Sequence, residues 1–378
     1  MSVERFDVLI VGLGAMGSAA AYHLSRRGLR VLGLDQFTPP HNRGSSHGLS
    51  RIIREAYFEH PLYVPLVQRA YELWAELEQE SSQPLWQQTG GIMIGPEEGV
   101  LVSGALRSAQ NHHLTHRVLS AEEIRARFPA LNPADEMIGI WEPRTGVLFP
   151  EKCIAAHIAM ALNHRAVIRF EEPVHFWMVD GTGVRVDTSK RSYRAEQLII
   201  TAGAWLQQLV VDLKLPLTVE RQVIFWFAAA EHPEQFHPGA CPIFLLEYEP
   251  DRFIYGFPDL GDGIKIARHH EGQPTQPERI ERPRPVELET MRTLVRRFIP
   301  AADGALRDMD VCLYTNTPDF HFLIDSHPRY SNVLIVSPCS GHGFKFAGAI
   351  GEILADQITG GVSRFDLSLF RMKRMGEV

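Results

Sequence analysis

The sequence predicts an α/β nucleotide-binding domain joined to an α+β domain whose sheet is mostly antiparallel. Three observations predict it. A glycine-rich turn, Gly12-x-Gly14-x-x-Gly17, sits between a strand pattern and a helix pattern near the start of the chain. Two further strand-to-helix transitions, in "QLIITAGAW" and "NVLIVSPCSGHG", lie far downstream. Elsewhere the chain changes to short alternating segments, "RFIYGFP" and "GIKIARHH", which suit antiparallel strands.

The elements follow in order. "FDVLIV" is an apolar run of strand type, the Ala-rich stretch after the glycines has helical period, and "VLGLD" is a second strand, so the three make a βαβ unit. A helix is expected from about Pro61 to Glu78, then a strand at "TGGIMIGP". "LSAEEIRARFP" reads as a helix with Ser120 and Glu123 at capping-box spacing. "QLIITAGAW" is a strand running into a helix after Ala204, and "NVLIVSP" passes through "CSGHG" into the helix "FKFAGAIGEILADQI". Three such transitions suit one shared sheet. "QPTQPERIERPRP" is a loop. The expected architecture is discontinuous: a Rossmann-like domain from residues 1–84, 146–219 and 311–378, and a second domain from 85–145 and 220–310.

At 378 residues the chain exceeds the roughly 250–300 at which one core stops growing, which agrees with two domains. Apolar residues are 45%, charged residues 22%, and the net charge is −7, so the balance argues against a nucleic-acid partner. "MSVERFDVLIVG" has neither the basic start nor the cleavage site of a signal peptide. No apolar run reaches about 18 residues, which argues against a membrane span. The four cysteines are far apart with no C-x-x-C pair, which argues against a zinc site and, in a reducing compartment, against disulfides. A cytoplasmic location is expected.

The glycine fingerprint has a job for each part. Gly12 permits the tight turn, Gly14 lets backbone approach a pyrophosphate, and Gly17 allows close helix packing. The following helix offers free N–H groups at its N-terminus. Asp35, 23 residues after Gly12, can accept hydrogen bonds from a ribose, which disfavours a 2′-phosphate. These features do not separate FAD from NAD.

At "PPHNRGSSHGLSRIIR", "CLYTNTPD" and "SGHGFKF" the chain resembles the monomeric sarcosine oxidase family, which includes the N-methyltryptophan oxidases, within the D-amino-acid-oxidase-like flavoproteins. The blocks occur in the same order nearly end to end. The resemblance implies that the first domain binds FAD and that the flavin is attached covalently through Cys312. A thioether is made from a thiolate, so the Cys312 pKa is expected to be depressed. Cys339 is the competing thiol and is read as packing.

The same resemblance places Arg54 and Lys345 on a substrate carboxylate, with Arg51 over the flavin ring. A helical "SRIIRE" would put both arginines on one face, whereas a strand would separate them. Lys265 matches a lysine that promotes reaction with oxygen, because a fixed cation stabilises developing superoxide. In "GIKIARHH" alternation puts Ile264 and Ile266 on a core face and Lys265, Ala267 and His269 on the other, a candidate cavity face. Tyr255, His269, Tyr314 and His342 match active-site positions, with His270 an adjacent competitor of His269. Gly341 and Gly343 belong to a turn facing the flavin, "TAGAW" (Thr201 to Trp205) to another cofactor turn, and Ser45 and Ser46 to the pyrophosphate and flavin neighbourhood.

The function so implied is an FAD-dependent amine oxidase that demethylates a secondary N-methyl amino acid, sarcosine first, using O2 and releasing formaldehyde and hydrogen peroxide. N-methyltryptophan, N-methylalanine, pipecolate and proline are the alternative substrates. A NAD-dependent dehydrogenase or a catalytically silent flavoprotein are the rival classes. A monomer is expected.

Overall fold

A computed structural model describes residues 4–376. Its centre is the strand Arg5–Val11, whose Val8, Leu9 and Ile10 are fully buried because both faces of the sheet are covered. This strand pairs in parallel with Val31–Leu34 on one side and Ser192–Ile200 on the other, and Ser192–Ile200 pairs in parallel with Tyr330–Ser337. The three strand-to-helix transitions therefore do share one sheet, which has eight strands. The helices Ala15–Arg26 and Ala347–Ile358 leave it side by side, packed through small residues. The helix expected after Ala204 is only a 3-10 turn, Gly203–Trp205, and four residues, Leu206–Leu209. Val210, with its backbone at φ −129°, ends it, and a further 3-10 turn, Val211–Leu213, follows.

The second sheet has nine strands. Thr218–Phe227 pairs antiparallel with Leu306–Asn316 and with Ile264–His269, and the ladder continues through Arg252–Phe257 to Ile243–Glu249. Ile243–Glu249 then pairs in parallel with Gly91–Pro96. Ile264 and Ile266 enter a core with Phe225, Phe244 and Ile254, as alternation requires. A small sheet of Arg51–Ile53, Gly146–Leu148 and Trp86–Gln88 completes the β structure. The Ser120–Glu123 capping box is present.

"SRIIRE" is thus a strand, held because Arg51, Ile52 and Ile53 pair with Leu148, Val147 and Gly146. Residue boundaries 219/220 and 310/311 fall inside the strands Thr218–Phe227 and Leu306–Asn316. We propose the two-domain partition with the first junction moved to the start of Thr218–Phe227 and the second to the end of Leu306–Asn316, since the ladder between these two strands is one cooperative unit. Among the described residues no helix is long and apolar enough to cross a membrane.

Candidate active site

One cavity runs between the two sheets. Its volume is about 260 Å3, near the lower end of the ~300–1,000 Å3 typical of pockets for drug-sized ligands. At one end it is lined by Gly12, Gly14, Asp35, Ser45, Ser46 and the turn Thr201–Trp205. Gly12 has φ +92°, and a Cβ there would stand 2.6 Å from the Thr201 carbonyl oxygen, so only glycine makes this turn. Gly17 packs against the same turn from inside the helix. Above Gly14 the nearest foreign atom is Ser46 Oγ at 3.9 Å, which leaves room for a ligand to approach the backbone. The Asp35 carboxylate accepts N–H groups from Leu13 (2.7 Å) and Phe37 (2.8 Å), one on each oxygen, and keeps lone pairs for a further donor. Burial raises its pKa against those two bonds.

The other end is lined by Arg51, Arg54, Glu59, Tyr255, His269, Cys312, Tyr314, Gly341, His342, Gly343 and Lys345. Cys312 lies on the strand Leu306–Asn316, with its sulfur 3.3 Å from the donating Arg51 Nη2 and 3.4 Å from the Ser45 carbonyl. The expected depression of its pKa is not found. Burial pushes the thiol up and outweighs the downward pull of Arg51. Cys339 lines the same cavity and accepts the Thr315 N–H at 3.3 Å.

Arg54 follows directly on the strand Arg51–Ile53, and both arginines reach the cavity despite their strand separation. Arg54 is 3% exposed and donates to both oxygens of Glu59 at 2.8 and 3.0 Å. Burial pulls the Glu59 carboxyl up, but Arg54 holds it below its ordinary range. Lys345 donates to the Tyr57 hydroxyl (3.1 Å) and the His342 carbonyl (2.8 Å), and burial, with Arg54 adding, lowers its pKa to about 7.

Lys265 departs from expectation. It is 2% exposed and is absent from the cavity lining, whereas its strand neighbour His269 is present. Its ammonium sits behind Ser50 and donates to Gly48 O (2.6 Å), Ser50 O (3.0 Å) and Ser50 Oγ (3.1 Å), which uses all three of its hydrogens. Burial, then Arg51, hold its pKa well below the ordinary lysine value.

Burial also keeps the aromatic groups uncharged. His269 is held neutral, its Nδ1 3.2 Å from the Tyr314 hydroxyl, and the Tyr255 pKa rises to about 12. His270 is outside the lining, with its backbone at φ 59° and its ring packed at a tilt of 42° against Phe320. Gly341 has φ +75°, and a Cβ there would lie 2.6 Å from the Tyr314 ring and 2.8 Å from the His269 ring.

The family model for FAD dependent oxidoreductases (DAO) matches residues 7–357. The chain belongs to the FAD-dependent oxidoreductase family. It is 43% identical to the monomeric sarcosine oxidase of Streptomyces avermitilis, with 98% of each chain covered. It is 36% identical to the N-methyl-L-tryptophan oxidase of Salmonella heidelberg, covering 99% of this chain and 100% of that one. The fold matches NikD, described as an unusual amino acid oxidase essential for nikkomycin biosynthesis, at TM-score 0.85, with 22% identity and 97% of each chain covered.

The residues of this flavoprotein fit FAD. The space over Gly14 suits a pyrophosphate, Asp35 retains acceptor capacity for a ribose, and Ser337 Oγ lines the cavity as a buried hydroxyl with no partner among the described residues. Two site residues carry no clear signal in the sequence, Tyr57 and Glu59. Glu59, the partner of Arg54, lies five residues after it, a spacing shared by countless surface pairs.

Proposed function

We propose that this oxidoreductase demethylates a secondary N-methyl amino acid, sarcosine first, giving the amino acid, formaldehyde and hydrogen peroxide. We further propose that its FAD is carried on Cys312 as a thioether. One observation carries the reading: Cys312, Arg54 and Lys345 line the catalytic end of the same cavity whose far end holds Gly14 and Asp35. The 43% and 36% identical relatives named for sarcosine and N-methyl-L-tryptophan support the substrate class.

FAD, when bound, would supply the two-electron acceptor for oxidation of the N-methyl carbon and the donor for reduction of dioxygen, and water would hydrolyse the released imine. The chain's own residues prepare that chemistry. Arg54 and Lys345 take the substrate carboxylate, Arg54 by a planar fork and Lys345 by a compact charge. Three cations, Arg51, Arg54 and Lys345, face the cavity with Glu59 as their carboxylate counter-charge. That field disfavours a substrate ammonium, so the bound amine loses its proton and its lone pair becomes available. Neutral His269 and the phenols of Tyr255 and Tyr314 supply orientation without adding charge. Lys265, fixed behind Ser50 and Gly48, serves the oxygen half-reaction through its field.

Anaerobic bleaching of the bound flavin against sarcosine, N-methyltryptophan, N-methylalanine, pipecolate and proline tests the substrate class. Sarcosine is expected to bleach fastest. No bleaching by any of the five refutes the reading.

A further inference from the structure

Tyr57 is fully buried and does not line the cavity, yet it touches two of the cations that face it, Arg54 and Lys345. Its hydroxyl accepts from Lys345 at 3.1 Å, and its ring lies 4.3 Å from the Arg54 guanidinium carbon. The ring is itself wedged between Tyr63 (4.8 Å) and Phe346 (5.3 Å), so it has little freedom to move.

The direction of each hydrogen bond can be read from the acceptors. His342 Nε2 lies 3.0 Å from the Phe320 carbonyl, which only accepts, so the imidazole carries its proton on Nε2. His342 Nδ1 is then an acceptor, and the Tyr57 hydroxyl 2.8 Å away donates to it rather than to the more distant His342 carbonyl at 3.2 Å. With its proton committed there, the Tyr57 oxygen turns its lone pairs to the Lys345 ammonium. The His342 carbonyl takes a second ammonium hydrogen at 2.8 Å. Of three N–H groups on Lys345, two are spent on the protein and one is left for the cavity.

We propose that Tyr57 is the positioning residue of the carboxylate clamp: its hydroxyl aims the free N–H of Lys345 into the cavity, and its ring holds the plane of Arg54. The inference rests on the carboxylate reading of Arg54 and Lys345. It adds the group that sets their geometry and the state of charge in which they work.

The test is acetate binding to the FAD-loaded protein, followed by the flavin spectrum against pH. Acetate has a carboxylate and no amine, so substrate deprotonation does not enter. The charged and titratable groups facing Lys345 are Arg51, Arg54, Glu59, Tyr57, His269 and His342. The arginines stay charged, Glu59 stays ionised, and both histidines and the phenol stay neutral through neutral pH. Lys345 is the group left to titrate, and acetate affinity falls as pH rises through its pKa.

Tyr57→Phe keeps the ring and removes the acceptor. It is expected to raise the acetate Kd about tenfold, the effect of one lost charge-assisted hydrogen bond. It also moves the alkaline loss of binding to lower pH, because the charged amine has lost a partner. Tyr57→Leu, which removes the ring as well, is expected to weaken binding further. A purely structural role predicts lowered melting temperatures with the pH limb in place, and that outcome, or an unchanged Kd in Tyr57→Phe, overturns the proposal. Lys345→Met should abolish the limb. If it binds acetate like the parent protein, the clamp itself is refuted and the role of Tyr57 goes with it.

Discussion

The Arg54–Glu59 pair gives a sharp test of how the site exchanges one carboxylate for another. Both groups are nearly enclosed, with side-chain exposures of 3% and 12%, and the guanidinium meets both carboxylate oxygens. Removing one partner of a buried pair costs about 3–5 kcal/mol, because the other is left as an uncompensated charge. Glu59→Gln keeps the shape and one acceptor oxygen, so about 2 kcal/mol is expected, which lowers the melting temperature by roughly 2–3 °C. The same change frees Arg54 for an incoming anion and removes a like charge from the cavity. Acetate should therefore bind about tenfold tighter and, at fixed concentration, raise the melting temperature more in the variant than in the parent. The pH sign follows from the depressed pKa of Glu59. Its contribution to stability is full above the ordinary carboxylate value and is lost as pH falls through the lower folded value, so the parent should lose stability there and Glu59→Gln should not. Calorimetry with and without acetate reads both effects. An unchanged melting temperature together with an unchanged or weaker acetate affinity refutes this account of the pair.

Other predictions are more direct. After denaturation and filtration the yellow colour is expected to stay with the parent protein and to pass into the filtrate for Cys312→Ser; colour in the filtrate from both removes the tether. Lys265→Met should slow flavin reoxidation by O2 far more than flavin reduction by sarcosine in stopped flow, and equal effects on both half-reactions count against its oxygen role. Gly341→Ala places a methyl group 2.6–2.8 Å from the Tyr314 and His269 rings at positive φ. A strain of about 1–3 kcal/mol is expected, and the two rings must move, so kcat should fall at least tenfold while flavin content is retained; parent-like turnover would refute the claimed fit.

Local pattern explains why so much of the fold is legible in the sequence. Val8 to Val11, the glycines and Asp35 form one contiguous unit in which strand, turn and helix each follow from neighbouring residues. Alternation in Ile264–His269 correctly divides the isoleucines from His269, since a strand's period fixes which face a side chain takes. The same rule gives Lys265 the face of His269 but says nothing of what covers it. Its side chain is on the cavity side, but Ser50 and Gly48, from a remote loop, cover it. Likewise Arg51 and Arg54 share a site because the chain leaves its strand after Ile53, a break set by pairing with Val147 and Gly146.

What the sequence determined by itself is the nucleotide-binding βαβ unit, the three strand-to-helix transitions and, through family resemblance, most of the named residues that line the cavity, Lys265 and Glu59 apart. Tertiary structure decided their electrostatics: that the Cys312 pKa is raised, that Lys345 is poised near neutrality, that Arg54 is already held by Glu59 and that Tyr57 stands behind both cations. The physical reason is that charge state depends on burial and on neighbours brought in from distant segments, and neither is encoded in the spacing of residues along one strand or helix.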